Sequence, residues 1–389
     1  MKLSRRTWAA LGVAFLLAAC GGGDELAPKA KISKVYVMGD SLADVGTFGF
    51  KFTVQNSADP KGFPIWPQLV ANSVGLDGSA QCNFFRFTGT TFAPNTTAGC
   101  TNYAIGGGRI VTPAASGGAA SPATVATQLA AKAAAGNYVE GELVLIDGGG
   151  NDAADLVSAY LGAASGAAGV AAYQAFLAQQ LDAATIGAAL TQPNGAAIAA
   201  GAYMQKLADT FYGQIKAQTL DKGANRVAVL NAPDITLTPR FQQVLGGVAA
   251  ASGGGATGAA AAAALQGAIQ QWVSAFNGKL KANIGADTRV ALVDFYTDFT
   301  DQVNNPASFG LASVKATACP VTGVDGSGLP SYTFQTCTSN ALNAAPPAGV
   351  TGTNWFNTYA FSDSFHPTPF GHQLLAASVN RALARAGWL

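Results

Sequence analysis

The chain has 389 residues, 49% of them hydrophobic and only 11% charged, with a formal net charge of +1. That length buries a substantial core, as one large α/β domain or as two smaller ones. A charge so near zero, without Lys/Arg clusters, argues against a nucleic-acid binder, and apolar residues spread along the whole chain argue against disorder.

In chain order, the first segment reads as a targeting signal. Lys2, Arg5 and Arg6 form a positive start, and Trp8 to Ala19 is apolar but short for a transmembrane helix. It ends in Leu17-Ala18-Ala19-Cys20, which resembles the lipobox of bacterial lipoproteins. The resemblance implies a signal peptide over residues 1–19, a lipidated Cys20 with a tether over 20–33, and a domain over 34–389. Several acyl chains on Cys20 would hold the protein on a membrane stably, where one would not. Gly21 is not the aspartate that usually signals inner-membrane retention, so the expected address is the outer membrane, facing the periplasm or the exterior. An ordinary secretory signal with an incidental cysteine is the alternative.

Export makes the remaining cysteines legible. Cys82 with Cys100, and Cys319 with Cys337, form two sequence-local pairs, and an even number in an oxidising compartment favours disulfides over buried thiols. Neither pair has metal-ligand spacing, and two histidines build little of a zinc site.

Short apolar runs at Lys34–Met38, Leu143–Ile146, Arg226–Leu230 and Arg289–Phe295 read as buried strands. Helix-like stretches lie at Thr124–Ala135, Ala199–Leu220, Ala261–Lys281 and Phe370–Ala386. This alternation predicts a parallel sheet covered on both faces. The Ala/Gly-rich segments Ala163–Ala202 and Gly246–Ala264 are read as helices and loops over that frame. Gly253-x-Gly255-x-x-Gly258 matches a dinucleotide fingerprint but has no strand before it and no acid about 20 residues on.

The chemistry gathers at strand ends. Ser41 follows the first strand in Gly39-Asp40-Ser41-Leu42, where it is either a nucleophile or, with Asp44, half of a helix capping box. Gly106-Gly107-Gly108 follows Asn102-Tyr103-Ala104-Ile105, and glycines there either open a backbone N–H to an oxyanion or make an ordinary turn. Asn151 follows a second glycine run, Gly148-Gly149-Gly150, as an amide donor or a helix cap. Near the C-terminus, Asp363 precedes His366 by three residues, close enough to orient its ring. His372 lies in the last helix pattern with no carboxylate beside it and is read as structural.

Taken in order, Gly39-Asp40-Ser41-Leu42, Gly107, Gly149-x-Asn151-Asp152 and Asp363-x-x-His366 resemble the four blocks of the SGNH/GDSL hydrolases. Gly39 to Gly46, Asn102-Tyr103-Ala104-x-Gly-Gly and Asn231-Ala232-Pro233-Asp234 are similar to the lipase and acylhydrolase branch. The resemblance implies a three-layer α/β/α sandwich around a parallel sheet, without a metal cofactor. It implies Ser41 as nucleophile, His366 as general base, Asp363 as its orienting carboxylate, and the Ser41 N–H, the Gly107 N–H and the Asn151 amide as oxyanion hole. Gly107 is chosen from its run because it lies five residues after Asn102. The expected protein is a serine esterase or lipase acting on lipid-like or aryl acyl esters, its partners being that ester and, through Cys20, a membrane. A carbohydrate O-acetyl esterase and a non-catalytic, ligand-binding lipoprotein are the competing readings.

Overall fold

The computed structural model describes residues 31–389. The expected signal peptide, Cys20 and the tether up to residue 30 lie outside the described residues. Residues 32–389 form one compact unit.

Its centre is a parallel sheet of β1 (Lys34–Met38), β2 (Glu142–Ile146), β3 (Val227–Leu230) and β4 (Val290–Val293), hydrogen-bonded in that order. On the outer side of β1 the chain before the first glycine run also pairs: Val37 N donates to Thr101 O, Tyr103 N to Val37 O and Ile105 N to Gly39 O. Successive side chains of a strand face opposite ways, and here they feed two cores. Val35, Val37, Leu143, Leu145, Ala228 and Leu230 face one, while Tyr36, Met38, Val144, Ile146, Val227 and Val229 face the other. Each fully buried Val or Leu stabilises the fold by about 1.5–3 kcal/mol.

Helices cover both faces. On the first lie α1 (Trp66–Ser73), α6 (Phe295–Asn304) and α7 (Pro369–Arg385), through Trp66, Phe299, Leu375 and Leu383. On the second lie α2 (Val125–Ala134), α3 (Gly150–Gly162), α4 (Gly195–Gln218) and α5 (Gly255–Ile284), through Leu129, Leu156, Phe211 and Phe276. The result is the α/β/α sandwich expected from the strand–helix alternation.

α7 shows how local sequence sets these elements. Thr368 caps its start, accepting from Gly371 N, and Pro369 occupies the first turn, where no N–H is needed. Leu375, Val379 and Leu383 recur at helical spacing on the buried side. The helix stops because Gly387 takes φ 71°, letting Trp388 N reach Leu383 O and Gly387 N reach Ala384 O, the two bonds of a Schellman turn.

The fourth strand is shorter than its apolar run. It ends at Val293, and Asp294 accepts from Thr297 N to start α6 at Phe295. Phe295 and Phe299 then bury one helix face, so the apolar run was strand and helix joined at a cap. Apolarity alone does not mark that boundary. In the Ala-rich regions, Ala167–Leu177 and Ala183–Leu190 are helices, and the predicted Ala261–Lys281 helix extends to Gly255–Ile284. Gly253, Gly254 and Gly255 all have positive φ and separate it from the helix Pro239–Ala251, so the fingerprint-like glycines are a helix break.

Both expected disulfides are present, Cys82–Cys100 and Cys319–Cys337, each spanning 18 residues. The second staples a small satellite core of Val54, Phe334, Trp355, Phe356 and Tyr359. Closing a loop of that size contributes about 3 kcal/mol on the chain-entropy model. Reduction is therefore expected to lower the melting temperature by several degrees, with non-reducing peptide maps returning these two pairs and no crossed one.

Candidate active site

The turn after β1 is held from three sides. A Cβ on Gly39 would sit 1.4 Å from Asp147 Oδ1, so only glycine fits there. The Gln128 side-chain amide brackets the same residue, its Oε1 accepting from Gly39 N at 2.7 Å and its Nε2 donating to Gly39 O at 2.9 Å. Asp147 Oδ1 accepts from Asp40 N at 2.9 Å, and Asp40 Oδ1 accepts from Leu42 N at 2.9 Å. Burial, then the nearby Asp40 carboxylate, pushes Asp147 well above the usual carboxylate range.

Ser41 sits in this turn, buried, and no helix begins there. The capping-box alternative therefore fails, and Asp44 does something else. Its carboxylate accepts from Gly46 N, Thr47 N and Asn83 Nδ2 through Oδ1, and from Gly106 N through Oδ2, at 2.7–2.8 Å. Burial pushes its pKa up while these donors pull against it.

The partner of Ser41 arrives from the far end of the chain. The strand pair Ser313–Thr317 with Tyr359–Phe361 delivers a tight turn in which Asp363 Oδ1 accepts from Phe365 N and His366 N. Asp363 Oδ2 lies 2.8 Å from His366 Nδ1, and His366 Nε2 lies 2.8 Å from Ser41 Oγ. Burial works to raise the Asp363 pKa, but the His366 ring and the backbone donors outweigh it and hold the carboxyl below its usual range. An ionised carboxylate only accepts, so Nδ1 carries the ring proton and Nε2 is free to accept from the serine hydroxyl. Phe52, Phe334 and Phe365 surround the imidazole, with ring centroids 5.2, 5.6 and 5.8 Å away. His372 stays apart, buried on α7, where desolvation lowers its pKa to about 3 and keeps it neutral.

The glycine run sorts itself by hydrogen bonding. Gly106 N is taken by Asp44 and Gly108 N by Ile105 O, while Gly107 N, at φ 77°, has no acceptor among the described residues. Ser41 N has none either. Arg109 pairs with Asp155 and also donates to Gly107 O at 2.6 Å, gripping the Gly107 backbone through its carbonyl. Asp152 accepts from Ile110 N and Val111 N, and burial raises its pKa to about 7 against those bonds. Asn151, in the first turn of α3, donates through Nδ2 to Gly108 O at 2.9 Å and makes a longer 3.4 Å contact with Asp40 Oδ2. Ser41, Gly107, Asn151, Asp363 and His366 thus meet at the carboxyl edge of the sheet, where ligands bind in such folds. Asn231 and Asp234 stay structural: Asn231 ties β3 to α6 through Tyr296 N and Asp294, and Asp234 caps its own turn at Thr236.

Gln128, Arg109, Asp147 and the aromatic wall were not singled out from sequence. Asp147 alone carried a local signal, as the residue opening the second glycine run.

The family described as GDSL-like Lipase/Acylhydrolase matches residues 35–379. Two solved structures are similar to the chain. A phospholipase A1 from Streptomyces albidoflavus NA297 is 17% identical, with a TM-score of 0.40, over 90% of this chain and 98% of that one. An extracellular lipase from Streptomyces rimosus is 16% identical, with a TM-score of 0.38, over 90% of this chain and 99% of that one. No curated protein matches the chain.

Asp44 offers a test of how the turn is built. Asp44→Ala leaves four N–H groups without their acceptor in a buried site, and each orphaned group costs about 1–3 kcal/mol. The variant is expected to lose at least about 3 kcal/mol in urea unfolding. A loss within the ordinary surface range would show that this carboxylate does not tie the segments together.

Proposed function

Because the chain belongs to the GDSL-like lipase/acylhydrolase family and is a carboxylic ester hydrolase, we propose that it cleaves lipid-like or aryl acyl esters through an acyl-enzyme on Ser41. The observation that carries this reading is the unbroken line from Asp363 Oδ2 through the His366 ring to Ser41 Oγ, two contacts of 2.8 Å each. In the first half-reaction His366 Nε2 takes the hydroxyl proton as Oγ attacks the ester carbon. The carbonyl oxygen becomes an oxyanion, received by the free N–H groups of Ser41 and Gly107 and by the Asn151 amide turning from Gly108 O. The imidazolium then gives its proton to the departing alcohol, and water repeats the sequence to release the acid. Asp363 keeps the ring oriented and its charge offsets the imidazolium in a wall of aromatic rings, where a Coulomb interaction is weakly screened.

These roles predict an order of damage, read with nitrophenyl esters and a fluorophosphonate label. Ser41→Ala should abolish both turnover and labelling, and His366→Ala should be nearly as severe. Asp363→Ala should lose on the order of 10⁴-fold in turnover, since it orients the base without taking its proton. Asn151→Ala should lose roughly 10²–10³-fold with KM little changed. A folded Ser41→Ala enzyme with undiminished turnover would end the assignment.

The reading extends to attachment. We propose an outer-membrane lipoprotein anchored by acyl chains on Cys20, supported by Leu17-Ala18-Ala19-Cys20 and the absence of aspartate at Gly21. Cys20→Ala should move the protein from the membrane fraction to the soluble one. Continued partition into detergent would place the anchor elsewhere.

A further inference from the structure

Two hollows meet at one ring. A wide groove of about 740 Å³ passes over His366 and Asn151, and its rim holds the ion pairs Arg109–Asp155 and Arg240–Asp325. A second, narrow cavity of about 70 Å³ starts at Ser41 and Leu42 and runs under the segment 360–375, between the end of β3, α6 and α7. Phe365 lines both. Its ring also leans on Phe241, at 6.2 Å between centroids, and on the imidazole of His366.

The two differ in chemistry. The walls of the narrow cavity are mostly apolar, including Leu230, Phe295, Phe299, Phe361 and Leu375. Asp40 and Asp147 stand only at its Ser41 end. Asp147 Oδ2 is buried there without a hydrogen-bond partner among the described residues, and burial beside Asp40 pushes its carboxyl up, away from the charged form. Protein interiors pack densely, with few voids larger than a water molecule. A water needs only about 10–15 Å³ of such space, and this hollow is several times that. It is too small for a long chain, and it begins at the residue that would carry an acyl group.

We propose that this cavity is the acyl-chain site of the enzyme acylated on Ser41, sized for short chains such as butyryl and hexanoyl, with the Phe365 ring as the gate to the groove that receives the alcohol. The inference rests on Ser41 as nucleophile and adds the substrate class. The ester carbonyl sits between Ser41 and the oxyanion donors, the alkyl tail enters the apolar cavity, and the leaving alcohol faces the polar rim. Burying a tail among Leu and Phe removes apolar surface from water, and the narrow cavity does this more fully than the open groove, whose wall mixes Leu161, Phe241 and Val248 with ion pairs.

The test is the ratio of kcat/KM across nitrophenyl acetate, butyrate, octanoate and palmitate. The wild-type enzyme should favour butyrate over both acetate and palmitate. Ala360→Leu and Leu230→Phe each enlarge a residue that lines the cavity and should lower the butyrate-to-acetate ratio on the order of tenfold. Phe365→Ala opens the gate and should raise the palmitate-to-butyrate ratio on the order of tenfold. Melting curves identify variants that fold. If a filling variant does not fold, the wild-type profile still decides, because a preference for palmitate overturns the assignment. Unchanged ratios in folded variants overturn it as well. Failure of the nucleophile reading looks different: Ser41→Ala would then turn over every ester as the wild type does.

Discussion

A carboxylate with no exposure to water must have its lone pairs filled by donors, and at Asp44 those donors come from three separate parts of the chain. Gly46 and Thr47 are local, Asn83 comes from the segment bridged by Cys82, and Gly106 opens the glycine run. Satisfying one buried carboxyl therefore fixes where the Ser41 turn stands relative to the loop beside it. The Gly107 N–H is free because its neighbours are occupied: Asp44 takes Gly106 N and Ile105 O takes Gly108 N. Asn102 adds to the hold, donating to Ala43 O and accepting from Ala104 N with no exposure of its own. The oxyanion-binding potential of the site is a by-product of hydrogen bonds that the fold needs for its own stability.

The sheet was legible in the sequence because its strands are buried on both faces and so read as continuous apolar runs. The blocks at strand ends were legible because glycine, serine, asparagine and histidine in that order have few structural reasons to coincide. What stayed hidden is long-range. Gln128 lies 89 residues from the Gly39 peptide it brackets, and nothing in its helix distinguishes it from a surface glutamine. Arg109 reads as a charge after a turn until Asp155 and Gly107 O are seen in its reach. Asp44 looked like half of a capping box because the spacing Ser-x-x-Asp is the same whether a helix follows or not. Only the tertiary donors decide.

Buried carboxyls around this site are treated in opposite ways by their neighbours. Asp363 accepts two backbone N–H bonds on one oxygen and faces the imidazole with the other, and it is held below the usual range. Asp147 accepts from Asp40 N on one oxygen, has no partner on the other, and lies beside the Asp40 carboxylate, so it is raised. The same side chain is thus favoured as an ion beside the His366 ring and pushed toward the neutral form behind Ser41. Burial alone would have raised both; donor count and the sign of the nearest charge separate them.

This division bears on how the ester is read. On the proposed mechanism, a charged Asp147 at the Ser41 end of the narrow cavity would repel the oxyanion and would draw water along the apolar wall. The upward shift of Asp147 weighs against charge at that end of the cavity, while the charged pairs Arg109–Asp155 and Arg240–Asp325 stay on the rim of the groove. The walls then differ across the Asp363–His366–Ser41 line, almost wholly apolar on the Ser41 side and mixed, with ion pairs among apolar residues, beyond His366. An ester has the same asymmetry, an alkyl tail on one side of the carbonyl and an alcohol on the other. Phe365, adjacent in sequence to the base and shared by both walls, stands where that change occurs. On the proposed reading, a substitution there would act on selectivity through the shape of the boundary, while the Asp363–His366–Ser41 contacts keep their own partners.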